Sequence, residues 1–395
     1  MSDEEIRRSL ERRASDVEPT SELRQRVADR EPVTQQGPSA ARRVAIAVFA
    51  LAVSAAAFAL IIPGGNEQGA VGSTTPSTSE PPVARELETI ELEGGVGRVI
   101  AAEGSLWISG EGHVLRVDPS TGEVLAEIPV RLEEEGSYPS RGRVAPDSGL
   151  VYGDGLIWVT AEPFFAAIDP ATNELATTIV WSSGVMNIAW DEGALLYGGS
   201  AEGNGQVVRL DPETLEFDAF PTSTGAYPLV LATDHWIWAG GSDGVGAGAL
   251  DRWSRDRQVE ETVDGITRVH ALVEAGGWVW ALDDRFLYRV NAYPAGPQPS
   301  PQSHFPSSVE AIDLTVPLPP VPGRGTLASD GEHLWLLVEA GAVCQLTELD
   351  TATGEAIGDP IEIHIPFPAE MAVLDGVPWI TYRDEGLLVH PELPS

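Results

Sequence analysis

The sequence predicts an all-β fold, a seven-bladed β-propeller, preceded by a short cytoplasmic helical leader and one transmembrane helix. Three observations carry this expectation. A tryptophan-centred motif recurs seven times through residues 87–395. Each copy divides into short alternating strands separated by Asp/Gly and Asp-Pro turns. Upstream lies Val44–Ile62, nineteen residues in which Ser54 is the only polar side chain.

In chain order, residues 1–43 form the leader. They hold nine arginines and nine acids. Ile6, Leu10, Val17, Leu23 and Val27 give a loose helical stripe, interrupted at Pro19 and Pro32. The stripe reads either as a docking helix for a cytoplasmic partner or as a solvated topogenic leader; short, weakly apolar helices are marginal alone, which favours the latter. An arginine-rich leader joined directly to an alanine-rich span is similar to membrane-anchored anti-sigma proteins of high-GC bacteria. The zinc-binding members of that group need His and Cys ligands, and residues 1–43 contain neither.

Residues 44–62 are the expected span. Nineteen helical residues extend roughly 28 Å, about the thickness of a bilayer's hydrocarbon core. A cleaved signal peptide would place a shorter apolar run behind a short basic start, whereas 43 residues come first here. Arg24, Arg26, Arg30, Arg42 and Arg43 precede the span closely, and the twenty residues after it carry no basic side chain. The positive-inside rule therefore puts the N-terminus in the cytoplasm and the remainder outside, at the cell membrane. Residues 63–86, rich in Gly, Ser, Thr and Pro without an apolar period, read as a stalk. Its Ser/Thr/Pro cluster suits either O-linked sugars or an unmodified spacer.

Residues 87–395 hold the repeat, expected to form an extracytoplasmic propeller. The positions equivalent to the motif tryptophan are Trp107, Trp158, Leu196, Trp238, Trp280, Trp335 and Trp379, spaced by 51, 38, 42, 42, 55 and 44 residues. A strand ending in an Asp turn follows most copies: Asp118-Pro119, Asp169-Pro170, Asp211-Pro212 and Asp350-Thr351. Asp accepts a local backbone hydrogen bond and Pro presets φ, so each marks a tight reversal. One four-stranded sheet cannot bury both faces, so the copies must stack around an axis with the large Trp between neighbours. The final unit supplies only three strands. Leu87–Glu93 (LETIELE) is the spare strand that would complete it and close the ring. Two insertions, Arg131–Ser148 and Tyr293–Ser308, account for the two longest spacings and leave six or eight blades as alternatives to seven.

Composition narrows the function. The 24 basic residues are all arginine, against 60 acids and a net charge of -36. The whole excess lies in residues 63–395, with 15 arginines and 51 acids. Such a surface argues against nucleic acid as a partner. A lone Cys344 excludes a disulfide framework and multi-cysteine metal sites.

The unit GALLYGGSAEGNGQVVRLDPETLEFDAFPTSTGAYP resembles the NHL/YVTN-type propellers, including virginiamycin B lyase-like proteins, in strand order and turn placement. The resemblance covers about 300 residues and implies fold more than activity. In the lyase branch it implies His and Glu at the channel mouth with a metal ion, yet no motif here matches closely enough to carry those positions over.

Catalytic signals are sparse. Gly240-Gly241-Ser242-Asp243-Gly244 fits G-x-S-x-G but lies between strands and not at a strand-to-helix elbow. The glycine runs at 203–205 and 244–248 precede no helix that could hold a phosphate and read as turns. Glu133-Glu134-Glu135 suggests calcium at first sight, but consecutive carboxylates cannot all face one ion, so a solvated loop is expected. Aligning the innermost strands puts Arg98, Gly149, Asn187, Leu229, His270, Gly325 or neighbouring Arg324, and Glu370 at one level. Arg98, Asn187, His270, Arg324 and Glu370 would then offer donors, an acceptor and an imidazole to a small polar ligand.

The resulting expectation is a binding or sensing module for a protein or cell-envelope ligand, with no cofactor. The alternatives are a propeller-type lyase or lactonase using His270 and Glu370 with a divalent metal, and a purely structural envelope scaffold. The architecture also looks like the ectodomain half of receptor kinases with propeller sensors, without a kinase domain.

Overall fold

In the computed structural model the described residues are 87–131, 143–161, 164–180, 187–201, 204–223, 228–242, 248–255, 260–263, 266, 268–283, 286–292, 309–312, 325–340, 343–365, 369–383 and 386–391. The expected leader, span and stalk lie outside them. Among the described residues no helix is long and apolar enough to cross a membrane.

The described chain contains 28 strands, β1–β28, arranged as seven antiparallel four-stranded sheets. In chain order the blades span residues 96–129, 150–180, 188–221, 229–263, 271–312, 325–363 and 369–391. Their innermost strands are β2 (Val96–Ala102), β6 (Leu150–Gly153), β10 (Ile188–Asp191), β14 (Leu229–Ala232), β18 (Ala271–Ala275), β22 (Gly325–Ser329) and β26 (Ala369–Leu374). Each touches the next, and β2 touches β26, so the ring is closed. The seventh blade is completed by β1 (Leu87–Glu91), which pairs with β28 (Leu387–Pro391) from Leu87 opposite Pro391 to Glu91 opposite Leu387.

The core is divided among the blade interfaces. Seven apolar clusters occur, each formed by two neighbouring sheets. Every motif tryptophan faces the following blade: Trp107 packs with Leu150, Ile157 and Val159, and Trp379 with Leu106 and Ile108. Burying such a side chain removes roughly 150–250 Å² from water, worth about 4–6 kcal/mol at 25 cal/mol per Å². Leu196 occupies the tryptophan position of blade three. Phe220 and Trp253, tilted at 49° with ring centroids 5.7 Å apart, fill the interface there.

A second repeat is visible only in the pairing. Opposite the motif tryptophan on the third strand stand Arg116, Arg252 and Arg289 in blades one, four and five, and Ala167 and Glu348 in blades two and six; in blade seven His390 packs on the tryptophan. Arg116 lies 5.1 Å from the Trp107 ring, Arg252 5.3 Å from Trp238 and Arg289 5.9 Å from Trp280. The His390 ring is 4.1 Å from that of Trp379. Such contacts contribute about 0.5–2 kcal/mol each, less than the burial they accompany. In blade three, where no ring is present, Arg209 turns instead to the buried Asp191, with Nε donating to Oδ2 at 2.7 Å. Arg255 of blade four pairs with the same carboxylate and locks the two blades together.

The turns obey the expected chemistry. Asp118, Asp169, Asp211 and Asp350 each accept a backbone N–H two residues on, at 2.7–2.9 Å. In the inner hairpins, pairs such as Glu103-Gly104 (φ 51° and 65°) adopt positive φ at both central residues, the reversal that suits twisted strands. The Arg131–Ser148 insertion joins blades one and two, and its described roots are tied by an Arg131–Arg143 bridge. The second insertion falls inside blade five, before β21 (Val309–Ile312); residues 293–308 lie outside the described residues.

Candidate functional site: one mouth of the ring

All seven inner strands begin at the same end of the ring, so their first residues form one mouth. The ladders fix which residues share a level. Gly149 pairs with the strand position of Thr160, Asn187 with that of Gly198, Leu229 with Gly240, and Glu370 with Thr381. Each partner lies two residues after the motif tryptophan or its Leu196 equivalent. By the same rule Ala271 lies opposite Leu282 in blade five and Thr326 opposite Leu337 in blade six. Those two places were expected to be held by His270 and by Gly325 or neighbouring Arg324. His270 is nonetheless at this end of the ring, because its N–H also reaches the Leu282 carbonyl, at 2.8 Å. Two residues therefore oppose one, a bulge at the start of β18. Arg324 lies outside the described residues.

Arg98 is fixed by its surroundings. The pairing of β2 shifts between Val96 and Val99, so Arg98 also sits in a bulge. Its N–H is shared between the Pro146 carbonyl and Ser109 Oγ, both at 3.0 Å, and Ser109 Oγ donates to the same carbonyl at 2.9 Å. Residue 97 must be glycine: a Cβ there would lie 1.6 Å from the Pro146 oxygen. The Gly97 carbonyl accepts from the Thr381 hydroxyl of blade seven, a latch across the closing interface.

The guanidinium of Arg98 reaches blade three, where Nη2 donates to Asn187 Oδ1 at 2.5 Å. Blade two stands between them and contributes only Gly149 at this level, so no side chain of that blade intervenes. Arg98 Nε is buried without a partner. Arg268, on the segment leading to His270, has φ 54°. Of the seven described non-glycine residues with positive φ, the other six lie in hairpin turns. A bulky residue held there is strained by about 1–2 kcal/mol, and such strain concentrates at functional sites.

The structure thus brings Arg98 and Asn187 into contact and places His270 and Glu370 at the same end of the ring. Ser109, Gly97, Pro146 and Thr381 were not among the expected site residues. The signal for the hydroxyls was available, since Ser109, Thr160 and Thr381 all follow a motif tryptophan by two positions. Among the described residues no three of His, Cys, Asp and Glu converge to hold a metal ion. The Gly240–Ser242 stretch lies on an inner-hairpin strand, β15 (Trp236–Ser242), and not on a strand-to-helix elbow.

No protein-family model matches the chain, and neither does the sequence of any curated protein. Solved structures do match. Hydrazine synthase of Kuenenia stuttgartiensis aligns with TM-score 0.52 and 12% identity over 76% of this chain and 97% of that one. U3-55K aligns with TM-score 0.56 and 8% identity, over 77% and 98%. The WD40 repeats of RRP9 align with TM-score 0.56 and 8% identity, over 78% and 99%. At such identities the likeness establishes architecture alone: this chain shares the β-propeller fold with these proteins.

Proposed function

We propose that this chain is a membrane-anchored, extracytoplasmic propeller of the NHL/YVTN type that binds a protein or cell-envelope ligand at one mouth of its ring. The observation that carries the reading is the Arg98–Asn187 hydrogen bond, which joins non-adjacent blades over a position that carries no side chain. A purely structural ring has no need of a polar bridge there. Strain at Arg268 on the same rim supports the same location. Anchoring rests on the apolar run 44–62, and orientation on the five arginines that precede it. A lyase or lactonase, the alternative reading, would draw on His270 and Glu370 with a divalent metal.

The test is photo-crosslinking in native membranes, with a crosslinking side chain at position 187 and, as reference, at exposed position 125 on the outer rim. A product that forms only from 187, and disappears in an Arg98→Ala/His270→Ala double variant that keeps its melting temperature, is expected. Identical products from both positions would overturn the reading.

A further inference from the structure

The donors at this mouth restrict what it can hold. Arginine has no acceptor, so Asn187 must present its oxygen to Arg98 Nη2, and the amide orientation follows without ambiguity. With Oδ1 turned to the guanidinium, the other end of the Asn187 amide presents its two Nδ2–H donors. Arg98 adds a fixed positive charge and an orphaned, buried Nε–H. A buried donor left unsatisfied costs about 1–3 kcal/mol, so its persistence needs an explanation such as a bound acceptor. The two side chains together present one cation and several N–H donors, against a single, already engaged carbonyl oxygen.

The surrounding charge narrows the class further. Residues 63–395 carry 51 acids against 15 arginines. Four of those arginines, Arg116, Arg209, Arg252 and Arg289, sit on third strands and are spent within the sheets on tryptophan rings or on the buried Asp191. Arg98 instead stands at the lead-in end of β2, the end of the ring at which Glu370 is the one acid among the level residues. A dianion such as phosphate would meet both Glu370 and the field of the whole molecule with twice the penalty of a monoanion. A planar carboxylate matches a guanidinium and an amide donor in both charge and geometry.

Resting on the mouth reading above, we propose that the ligand group received at Arg98 and Asn187 is a single carboxylate. Arg98 provides the charge, and Asn187 orients the guanidinium and adds an N–H.

The test uses the full chain in detergent micelles. Melting temperature is followed while sodium acetate replaces sodium chloride at constant ionic strength, with inorganic phosphate, choline chloride and glucose as parallel probes. Acetate should stabilise saturably. Arg98→Ala should abolish the effect, Asn187→Ala should weaken apparent affinity about 10-fold, the scale of a lost charge-assisted bond, and Glu370→Gln should tighten it on the order of two-fold by removing a repelling charge. The Glu370→Gln arm keeps the test decisive should Arg98→Ala fail to fold. Acetate indistinguishable from chloride, or unaffected by Glu370→Gln and Asn187→Ala, overturns the proposal. If choline or glucose instead stabilises in an Asn187-dependent way, the carboxylate inference fails while the mouth reading stands. If no probe acts, neither survives as a small-ligand site.

Discussion

Cys344 shows how strongly a single position is governed by its surroundings. It is fully buried in the interface of blades six and seven, with Sγ donating to the Ile365 carbonyl at 3.1 Å. Burial, and secondarily the charge of Glu339, pushes its thiol up to about 11. The thiolate is the nucleophile, so at neutral pH almost none is present. Iodoacetamide at pH 7.5 should leave the native protein unlabelled and modify it stoichiometrically once denatured, read by intact mass. Rapid labelling of folded protein would show that this interface opens. Arg98 makes the opposite case: its backbone is tightly held, yet its guanidinium is committed to a residue 89 positions away.

At the scale of the element, the Asp turns are what make each blade a repeat. Asp118 is held below the usual carboxylate range by the Ser120 hydroxyl and backbone N–H, and Asp350 by the Thr353 backbone N–H, with the Ala352 N–H, against the opposing effect of burial. Asp211 is also lowered, because bonds from Thr214 and Glu213 outweigh its desolvation. A carboxylate whose folded pKa is depressed stabilises the fold above its unfolded value near 3.8, and that stability is lost as pH falls through the folded value. Melting temperature should therefore hold above about pH 5 and drop between about pH 4 and 2. Replacing Asp118, Asp211 and Asp350 together by Asn should flatten that drop. An unchanged slope in scanning calorimetry would show that other carboxylates govern acid unfolding.

At the scale of the whole molecule, closure depends on a strand from the opposite end of the described chain. β1 supplies five residues of ladder to the seventh blade, and Thr381 bonds Gly97 across the same seam. Deleting residues 87–91 removes a few net hydrogen bonds and the packing of Ile90, on the order of 3 kcal/mol. The melting temperature should fall by about 6–12 °C, and blade seven should lose hydrogen-exchange protection before the others. Equal protection in all blades after the deletion would mean that β1 does not close the ring.

Blade number, strand order within each blade, turn positions and the closing strand were all legible in the sequence. They are set by local causes: a period of two in the strands, Asp, Pro and Gly at reversals, and one large ring per unit that must be buried. The level at which the inner strands begin was legible at five of seven blades; His270 and Gly325 each fall one position before the residue at that level, and Arg324 lies outside the described residues. Counting nine positions back from each motif tryptophan, or from Leu196, returns Arg98, Gly149, Asn187, Leu229, Ala271, Thr326 and Glu370. The bulge at His270 is what no strand period reveals, since two residues there oppose one. The contact of Arg98 with Asn187, the wedge of Pro146 against Gly97 and the strain at Arg268 were decided only in the tertiary structure. The first two join parts of the chain whose separation is set by closing the ring, and neither residue of such a pair carries a local signal of the other.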